Sequence, residues 1–121
     1  MNLRLKDPLG KNRKQLVALL STVGLIIILA LSPRPETVED LFFRATDEYS
    51  SGNYRRALEL YDEVIEENPT IASAWQNRGS AKYKLGFFYA AASDFEQAIR
   101  LNPASVESWN SSALAYYKTG Q

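Results

Sequence analysis

The chain has 121 residues, 45% of them apolar and 12% aromatic, which suffices for one small packed domain. Its net charge is zero, but residues 1–31 hold five Lys and Arg against one Asp, whereas residues 32–121 hold nine against thirteen Asp and Glu. The sequence has no Cys and no His, which excludes disulfides, the usual zinc sites and His-activated nucleophiles. We therefore expect no enzyme active site, no metal and no cofactor.

An uncharged apolar run at residues 16–31 follows the basic residues Arg13 and Lys14. As a helix this run covers roughly 24 Å of a hydrocarbon core that is about 30 Å thick. The long side chains of Arg13 and Lys14 can reach the lipid headgroups and extend the span. The sequence therefore predicts a transmembrane signal-anchor helix over residues 16–32, preceded by a basic cytoplasmic segment over residues 1–15.

A cleaved secretory signal peptide is the alternative interpretation of this run. Ala30, Leu31 and Ser32 have the small-x-small pattern of a cleavage site. However, cleavage after Ser32 places Pro33 beside the scissile bond, where its ring hinders an extended substrate. We therefore favour the uncleaved anchor. Because the basic residues precede the run, the positive-inside rule places the N-terminus in the cytoplasm and the rest of the chain on the extracytoplasmic side.

A repeat with a period of 34 residues follows a short proline-rich linker at residues 33–37. Shifting the sequence by one period aligns large residues with large ones, small with small and glycine with glycine. The aligned sets are Leu41, Trp75 and Trp109; Ala45, Gly79 and Ala113; Tyr49, Tyr83 and Tyr117; and Gly52, Gly86 and Gly120. We assign two complete repeats to residues 38–71 and 72–105, and the first helix of a third to residues 106–121.

Each repeat has the pattern of two helices joined by a tight turn. Thr37 can cap the first helix together with Asp40, and Ser105 opens the last helix. Gly52 suits the left-handed turn that ends the first helix, after which Asn53 can cap the second. The residues expected to be buried on the second helices are Tyr54, Ala57, Leu58, Tyr61, Val64, Ile65, Phe88, Ala91, Phe95, Ala98 and Ile99.

This pattern resembles the tetratricopeptide repeat family. The match is clearest over residues 74–103, where the signature positions are held by Trp75, Gly79, Tyr83, Gly86, Phe88, Ala91, Phe95, Ala98 and Pro103. The resemblance covers residues 38–121 and implies an all-α solenoid of helix pairs whose concave groove binds peptides or partner domains. Arg44, Arg78 and Ser112 depart from the family pattern, because leucine is usual at those positions.

The resemblance also implies that the first helix of each pair lines the groove. The predicted groove residues are Phe42, Thr46, Tyr49, Gln76, Ser80, Tyr83, Asn110, Leu114 and Tyr117. The three tyrosines can stack on a ligand, or they can pack between helices. Some family members grip chaperone carboxylates with Lys and Arg on this face. We expect no such clamp, because the corresponding residues are Glu39, Ser73, Gln76, Glu107 and Asn110, with Lys84 and Lys118 only at the margin.

The sequence thus predicts a membrane-anchored adaptor that holds a protein or peptide and does not bind nucleic acid. The acidic run within residues 59–67 is expected to be solvated surface rather than a metal site. The last helix lacks a covering helix, so we expect a longer natural chain or a partner to cover its apolar face, and self-association through that face is one route. The alternatives are a secreted or lumenal binding protein after signal cleavage, or a fragment whose further repeats or enzyme domain follow Gln121.

Overall fold

The computed structural model describes residues 12–121, and within that range it contains six α-helices and no β-strand. The chain divides into two compact units, one ending at Pro35 and the other comprising Glu36–Gln121. Most of the predicted basic segment lies outside the described residues, including Arg4, Lys6 and Lys11. The prediction made for that segment therefore stays a prediction.

Helix α1, Arg13–Leu31, has 19 residues and none of them is buried. A helix of this length spans about 28 Å. The hydroxyls of Ser21 and Thr22 donate to backbone carbonyls one turn earlier, over 2.8 and 2.9 Å, so both donors are satisfied within the helix. In the described part of the chain α1 is the one helix long and apolar enough to cross a membrane, a criterion that an N-terminal signal sequence also meets.

The second unit contains five helices that follow one another as hairpin pairs. They are α2 Val38–Ser50, α3 Tyr54–Glu67, α4 Ala72–Lys84, α5 Phe88–Leu101 and α6 Val106–Thr119. Each helix packs on the next one along the chain, and the first helices of successive pairs also meet, α2 with α4 and α4 with α6. This arrangement confirms the predicted all-α solenoid of two helix pairs and the first helix of a third.

Polar side chains begin two of these helices as predicted. The Asp40 N–H donates to Thr37 Oγ1 at 3.2 Å and the Thr37 N–H donates to Asp40 Oδ2 at 3.0 Å, which completes a capping box. The Ser105 hydroxyl accepts the backbone N–H three residues further on. The predicted cap at Asn53 is wrong, because its side chain donates to Glu48 across the preceding turn instead.

Glycines serve two different purposes in the repeat. Gly52, Gly86 and Gly120 have φ values of 82°, 85° and 82°, which is the left-handed conformation predicted for the turn after each first helix. Gly79 is instead required by packing, since a Cβ there would lie 2.7 Å from Phe95 Cε1. The absence of a side chain thus lets α4 approach α5 closely.

The apolar core of the second unit consists of two clusters. The first contains Leu41, Ala45, Ala57, Leu60, Tyr61, Val64, Ile65 and Ala74, and the second contains Ala91, Ala92, Phe95 and Ala115. The predicted core residues that are only half-buried are Tyr54, Leu58, Phe88 and Ile99. Leu60 is buried although it was not predicted to be. It continues the three-and-four spacing from Ala57 to Ile65, whereas Leu58 lies at the edge of that face.

Tryptophan fixes the loop between repeats in the same way twice. The Trp75 indole N–H donates to the Pro69 carbonyl at 2.8 Å, and the Trp109 indole N–H donates to the Pro103 carbonyl at 3.0 Å. The two bonds are one repeat apart, and each ties the start of a first helix to the proline loop before it. The conformation of this loop is therefore part of the repeat.

Candidate functional site

A cavity of about 210 Å³ lies on the side of the second unit where the first helices of the three repeats converge. Its lining comes from α2, α4, α5 and α6, and comprises Tyr49, Ser80, Tyr83, Lys84, Phe95, Ser111 and Leu114. We call this the central cavity. Four of the predicted groove residues meet there, namely Tyr49, Ser80, Tyr83 and Leu114. The position is the one that the repeat pattern predicts for a concave binding face.

Hydrogen bonds to other side chains hold two further predicted groove residues. Thr46 Oγ1 lies 3.0 Å from the Tyr61 hydroxyl, which links α2 to α3. Burial raises the pKa of Tyr61, and hydrogen bonds with Thr46 and Asn77 offset only part of that effect. Gln76 Nε2 donates to Ser111 Oγ at 3.1 Å, joining α4 to α6. Both residues therefore contribute to the packing that shapes the groove.

The remaining predicted groove residues lie away from the central cavity. Phe42 packs edge-on against Tyr61 with 5.8 Å between ring centroids, and it lines a separate apolar cavity with Val38. Asn110 and Tyr117 are exposed on α6, and neither lines the central cavity. The structure thus brings together the middle of the predicted groove and leaves its two ends apart.

Tyr49 and Tyr83 both pack within their own repeats and line the central cavity. The Tyr49 ring lies 5.3 Å from that of Tyr54, and the Tyr83 ring lies 5.1 Å from that of Phe88, both edge-on. Burial raises the pKa of Tyr49. The two interpretations of these tyrosines, as packing residues and as ligand contacts, are therefore compatible. Ligand contact itself stays a prediction.

Two charged side chains line cavities of the groove. Lys84 lines the central cavity, although sequence reasoning placed it at the margin. Glu107 lines a neighbouring cavity of about 120 Å³ together with Tyr49, Asn77 and Ser80. Ser111 was not among the predicted groove residues, although it lies one turn before Leu114 on α6, a spacing that places both side chains on one face of the helix. Among residues 12–121 no group of three or more acidic side chains is placed to hold a metal ion.

A buried ion network explains why arginine replaces the family's usual leucine at position 78. Arg78 donates to both carboxylate oxygens of Asp94, over 2.9 and 2.7 Å, and to Asp62 Oδ1 at 2.7 Å. Lys82 Nζ lies 2.9 Å from Asp94 Oδ2, and the Asp94 side chain is 4% exposed. Burial lowers the pKa of Arg78, but Asp94 and Asp62 outweigh it, so the net shift is upward. The network holds α4 between α3 and α5 and thereby fixes the groove wall.

The two other residues that depart from the family pattern have different surroundings. Arg44 pairs with Glu36 at the surface, and Ser112 is buried on α6. Ser112 borders a cavity of about 500 Å³ on the side of α6 that is predicted to lack a covering helix. The other lining residues are Glu96, Ile99, Arg100, Trp109, Ala113 and Tyr116. Trp109 is 55% exposed, so this apolar face is uncovered in the described chain.

Stacked helix pairs with a concave, partly aromatic face define a class of helical-repeat interaction modules. The sequence model of the tetratricopeptide repeat matches residues 44–86 and 77–121. The chain therefore belongs to the tetratricopeptide repeat family. No curated protein matches the sequence significantly.

Two solved structures of yeast Sti1 are similar to this chain. The TPR2B domain in complex with pHsp70 is 26% identical with a TM-score of 0.66, and the match covers 68% of this chain and 66% of that one. The TPR2AB domain in complex with pHSP90 is 25% identical with a TM-score of 0.67, and the match covers 97% and 43% respectively. This chain thus spans less than two thirds of the length of either structure. The similarity supports a protein-interaction role for the repeat unit.

Proposed function

We propose that the chain is a membrane-anchored adaptor whose groove holds a segment of a partner protein. The central cavity carries this proposal, because it combines aromatic and aliphatic side chains with hydroxyls on three successive first helices. The two similar Sti1 structures are complexes with pHsp70 and pHSP90, which supports a protein partner. The role needs no catalysis, in keeping with a sequence that lacks Cys and His.

The partner segment that fits this groove is not an acidic chaperone tail. Lys84 is the single basic residue that lines the central cavity in the described chain. The adjoining cavity contains the carboxylate of Glu107, which repels a second carboxylate. A clamp for terminal carboxylates needs several converging cations. We therefore propose a ligand that inserts an apolar side chain between Tyr83 and Leu114.

Replacing Tyr83 by Ala should weaken peptide capture, because it removes an aromatic wall of the central cavity. We expect a loss of about tenfold or more, the usual effect of removing an aromatic contact at the centre of an interface. Random displayed peptides would be captured on the full chain in detergent, and binders would be retested on each variant. Glu66→Ala is the control, since Glu66 is exposed on α3. Equal losses for the two variants, or unfolding of the Tyr83→Ala protein, would contradict the ligand role.

The membrane part of the proposal is supported by α1. The helix is nearly as long as the hydrocarbon core is thick, contains no buried residue and satisfies its hydroxyl donors internally. We propose that it remains uncleaved, with its N-terminus in the cytoplasm and the repeats on the extracytoplasmic side. A charged residue near the middle of such a helix costs about 2.5–3.5 kcal/mol in membrane insertion.

Intact mass and membrane partitioning separate this topology from the secreted alternative. We expect full mass, retention in carbonate-washed membranes, and cleavage of the repeats only by protease added from the outside. A soluble product beginning near Pro33 would instead establish the secreted or lumenal protein. Val23→Arg should abolish retention by breaking the apolar run, whereas Arg34→Ala, outside the helix, should leave retention unchanged.

Self-association stays a prediction that the uncovered face of α6 motivates. The exposed Trp109 borders the largest of the cavities described above, and a second copy could cover it. An appended enzyme domain after Gln121 is the alternative from another class of protein. A longer reading frame is the observation that would establish it.

A further inference from the structure

The turn between α4 and α5 exposes aromatic side chains to solvent. Phe87 is 47% exposed and Tyr89 is 62% exposed, whereas Phe88 between them packs within its repeat. One period earlier, the turn between α2 and α3 has Asn53 and Arg55 at the equivalent positions. Packing of the repeat therefore does not require aromatic residues at positions 87 and 89, and their presence needs another explanation.

These aromatic residues lie on an edge of the second unit that we call the turn edge. Consecutive helices of a hairpin run antiparallel, so α2, α4 and α6 point the same way and their C-terminal ends lie on one edge. The turn edge thus comprises the α2–α3 turn, the α4–α5 turn and the end of α6. The proline loops at residues 68–71 and 102–105 lie on the opposite edge, about 20 Å away along a helix of 13 residues.

The part of the turn edge that surrounds the aromatic residues is cationic. Residues 79–93 and 108–121 contain three lysines and no Asp or Glu. Two of these lysines, Lys84 and Lys118, are exposed at the ends of α4 and α6 and form no ion pair among the described residues. The third belongs to the buried network around Asp94. Two free ammonium groups therefore flank the exposed rings.

The acidic residues of the unit do not cancel this charge. In the first repeat, Asp47 and Glu48 are balanced at the turn edge by Arg55 and Arg56. Other acidic side chains lie near the opposite edge, at the start of α2 and the end of α3, namely Glu36, Glu39, Asp40, Glu66 and Glu67. The separation of about 20 Å between the edges exceeds the Debye length of about 8 Å at physiological salt. Their effect at the turn edge is therefore largely screened.

We propose that the turn edge docks on an anionic lipid bilayer, with Phe87 and Tyr89 entering the headgroup region and Lys84 and Lys118 contacting anionic headgroups. This inference rests on the proposed function, in which α1 holds the repeats near a membrane. Aromatic rings enter the membrane interface readily, and an ammonium on a flexible stem stays among the headgroups and is attracted to anionic lipid.

The form of the turn edge favours lipid over a second protein partner. Neither Phe87 nor Tyr89 lines any of the cavities described above, so both rings project from a turn. The residues that dominate protein interfaces usually pair with pockets on the partner, whereas a fluid bilayer needs no matching pocket. Reach also permits the contact. Residues 32–37 can extend by about 19 Å, at about 3.1 Å per residue, which is close to the length of α2.

A single fluorescent label tests the contact, since the chain contains no Cys. The full chain would be reconstituted in nanodiscs with an NBD fluorophore on Ala90→Cys, an exposed position beside Tyr89. The NBD lifetime lengthens in lipid, so the long-lived fraction measures docking. We expect docking on anionic lipid and a docking constant roughly 25-fold lower on zwitterionic lipid, because each of two lysines contributes about fivefold. Ala104→Cys is the matched control, an exposed alanine on the opposite edge whose label should stay in water.

Substitutions separate the aromatic from the cationic contribution. Phe87→Asn combined with Tyr89→Ser should abolish the lipid signal at position 90, and Lys118→Gln should lower the docking constant about fivefold. Phe43→Ser is the control, because Phe43 is 71% exposed on α2 but lies away from the turn edge. It should leave the lipid signal unchanged.

The outcomes distinguish this inference from the proposed function. A label at position 90 that stays in water on anionic nanodiscs, or equal responses from positions 90 and 104, would overturn the docking and leave the anchored adaptor standing. If the full chain does not enter nanodiscs at all, the membrane anchor and the docking both fail.

Discussion

Replacing Asp94 by Ala should destabilise the repeat unit by about 3–5 kcal/mol, the usual cost of removing one partner of a buried ion pair. Asp94 accepts two hydrogen bonds from Arg78 and lies beside Lys82, and only 3% of it is exposed. Its loss leaves two cations without their shared carboxylate. Urea unfolding of residues 36–121, followed by circular dichroism, measures the change.

Asp62 supplies the matched control for this prediction. It also accepts from Arg78, but its side chain is 48% exposed, so Asp62→Ala should cost less than about 1 kcal/mol. Adding Arg78→Leu to Asp94→Ala should recover part of the loss, because it removes the guanidinium that has lost its buried partner and keeps only the exposed Asp62, and because it restores the residue usual in the family. Similar losses for Asp94→Ala and Asp62→Ala would contradict a buried network.

Phe95→Ala should cost about 3–5 kcal/mol, as is usual when a buried phenylalanine is removed. Phe95 is 2% exposed, fills the space above Gly79 and also lines the central cavity. The same urea titration tests this prediction. Phe87→Ala is the control, since Phe87 is 47% exposed and should change stability by no more than about 0.5 kcal/mol.

The Gly79→Ala variant tests the close contact between Gly79 and the Phe95 ring. The added Cβ would lie 2.7 Å from the Phe95 ring and 3.1 Å from Asp94 Cβ. We expect a loss of about 1–3 kcal/mol from overpacking, reduced by the better helix propensity of alanine. A stabilised Gly79→Ala protein would mean that the close approach of α4 and α5 is not required.

Features that depend on neighbours in the chain could be predicted from the sequence. The three turn glycines, the capping box of Thr37 and Asp40, and the alternation of helices all follow from local conformational preferences. Periodicity also identified Phe95 as a core residue. These predictions succeeded because a 34-residue period constrains every position at least twice.

Features that depend on tertiary packing could not be predicted. Arg78 and Asp94 are sixteen residues apart on different helices, and no local pattern indicates that they meet. The inclusion of Lys84 in the central cavity depends on how α4 is rotated against α6.

Site-specific photo-crosslinking tests most directly whether the groove holds the partner. A benzoylphenylalanine would replace Leu114, which is 50% exposed and lines the central cavity, or Tyr89, which is 62% exposed on α5 and does not line it. With a peptide selected on the wild-type chain, we expect crosslinking from position 114 and none from position 89. Equal crosslinking from both positions, or crosslinking from position 89 alone, would contradict it.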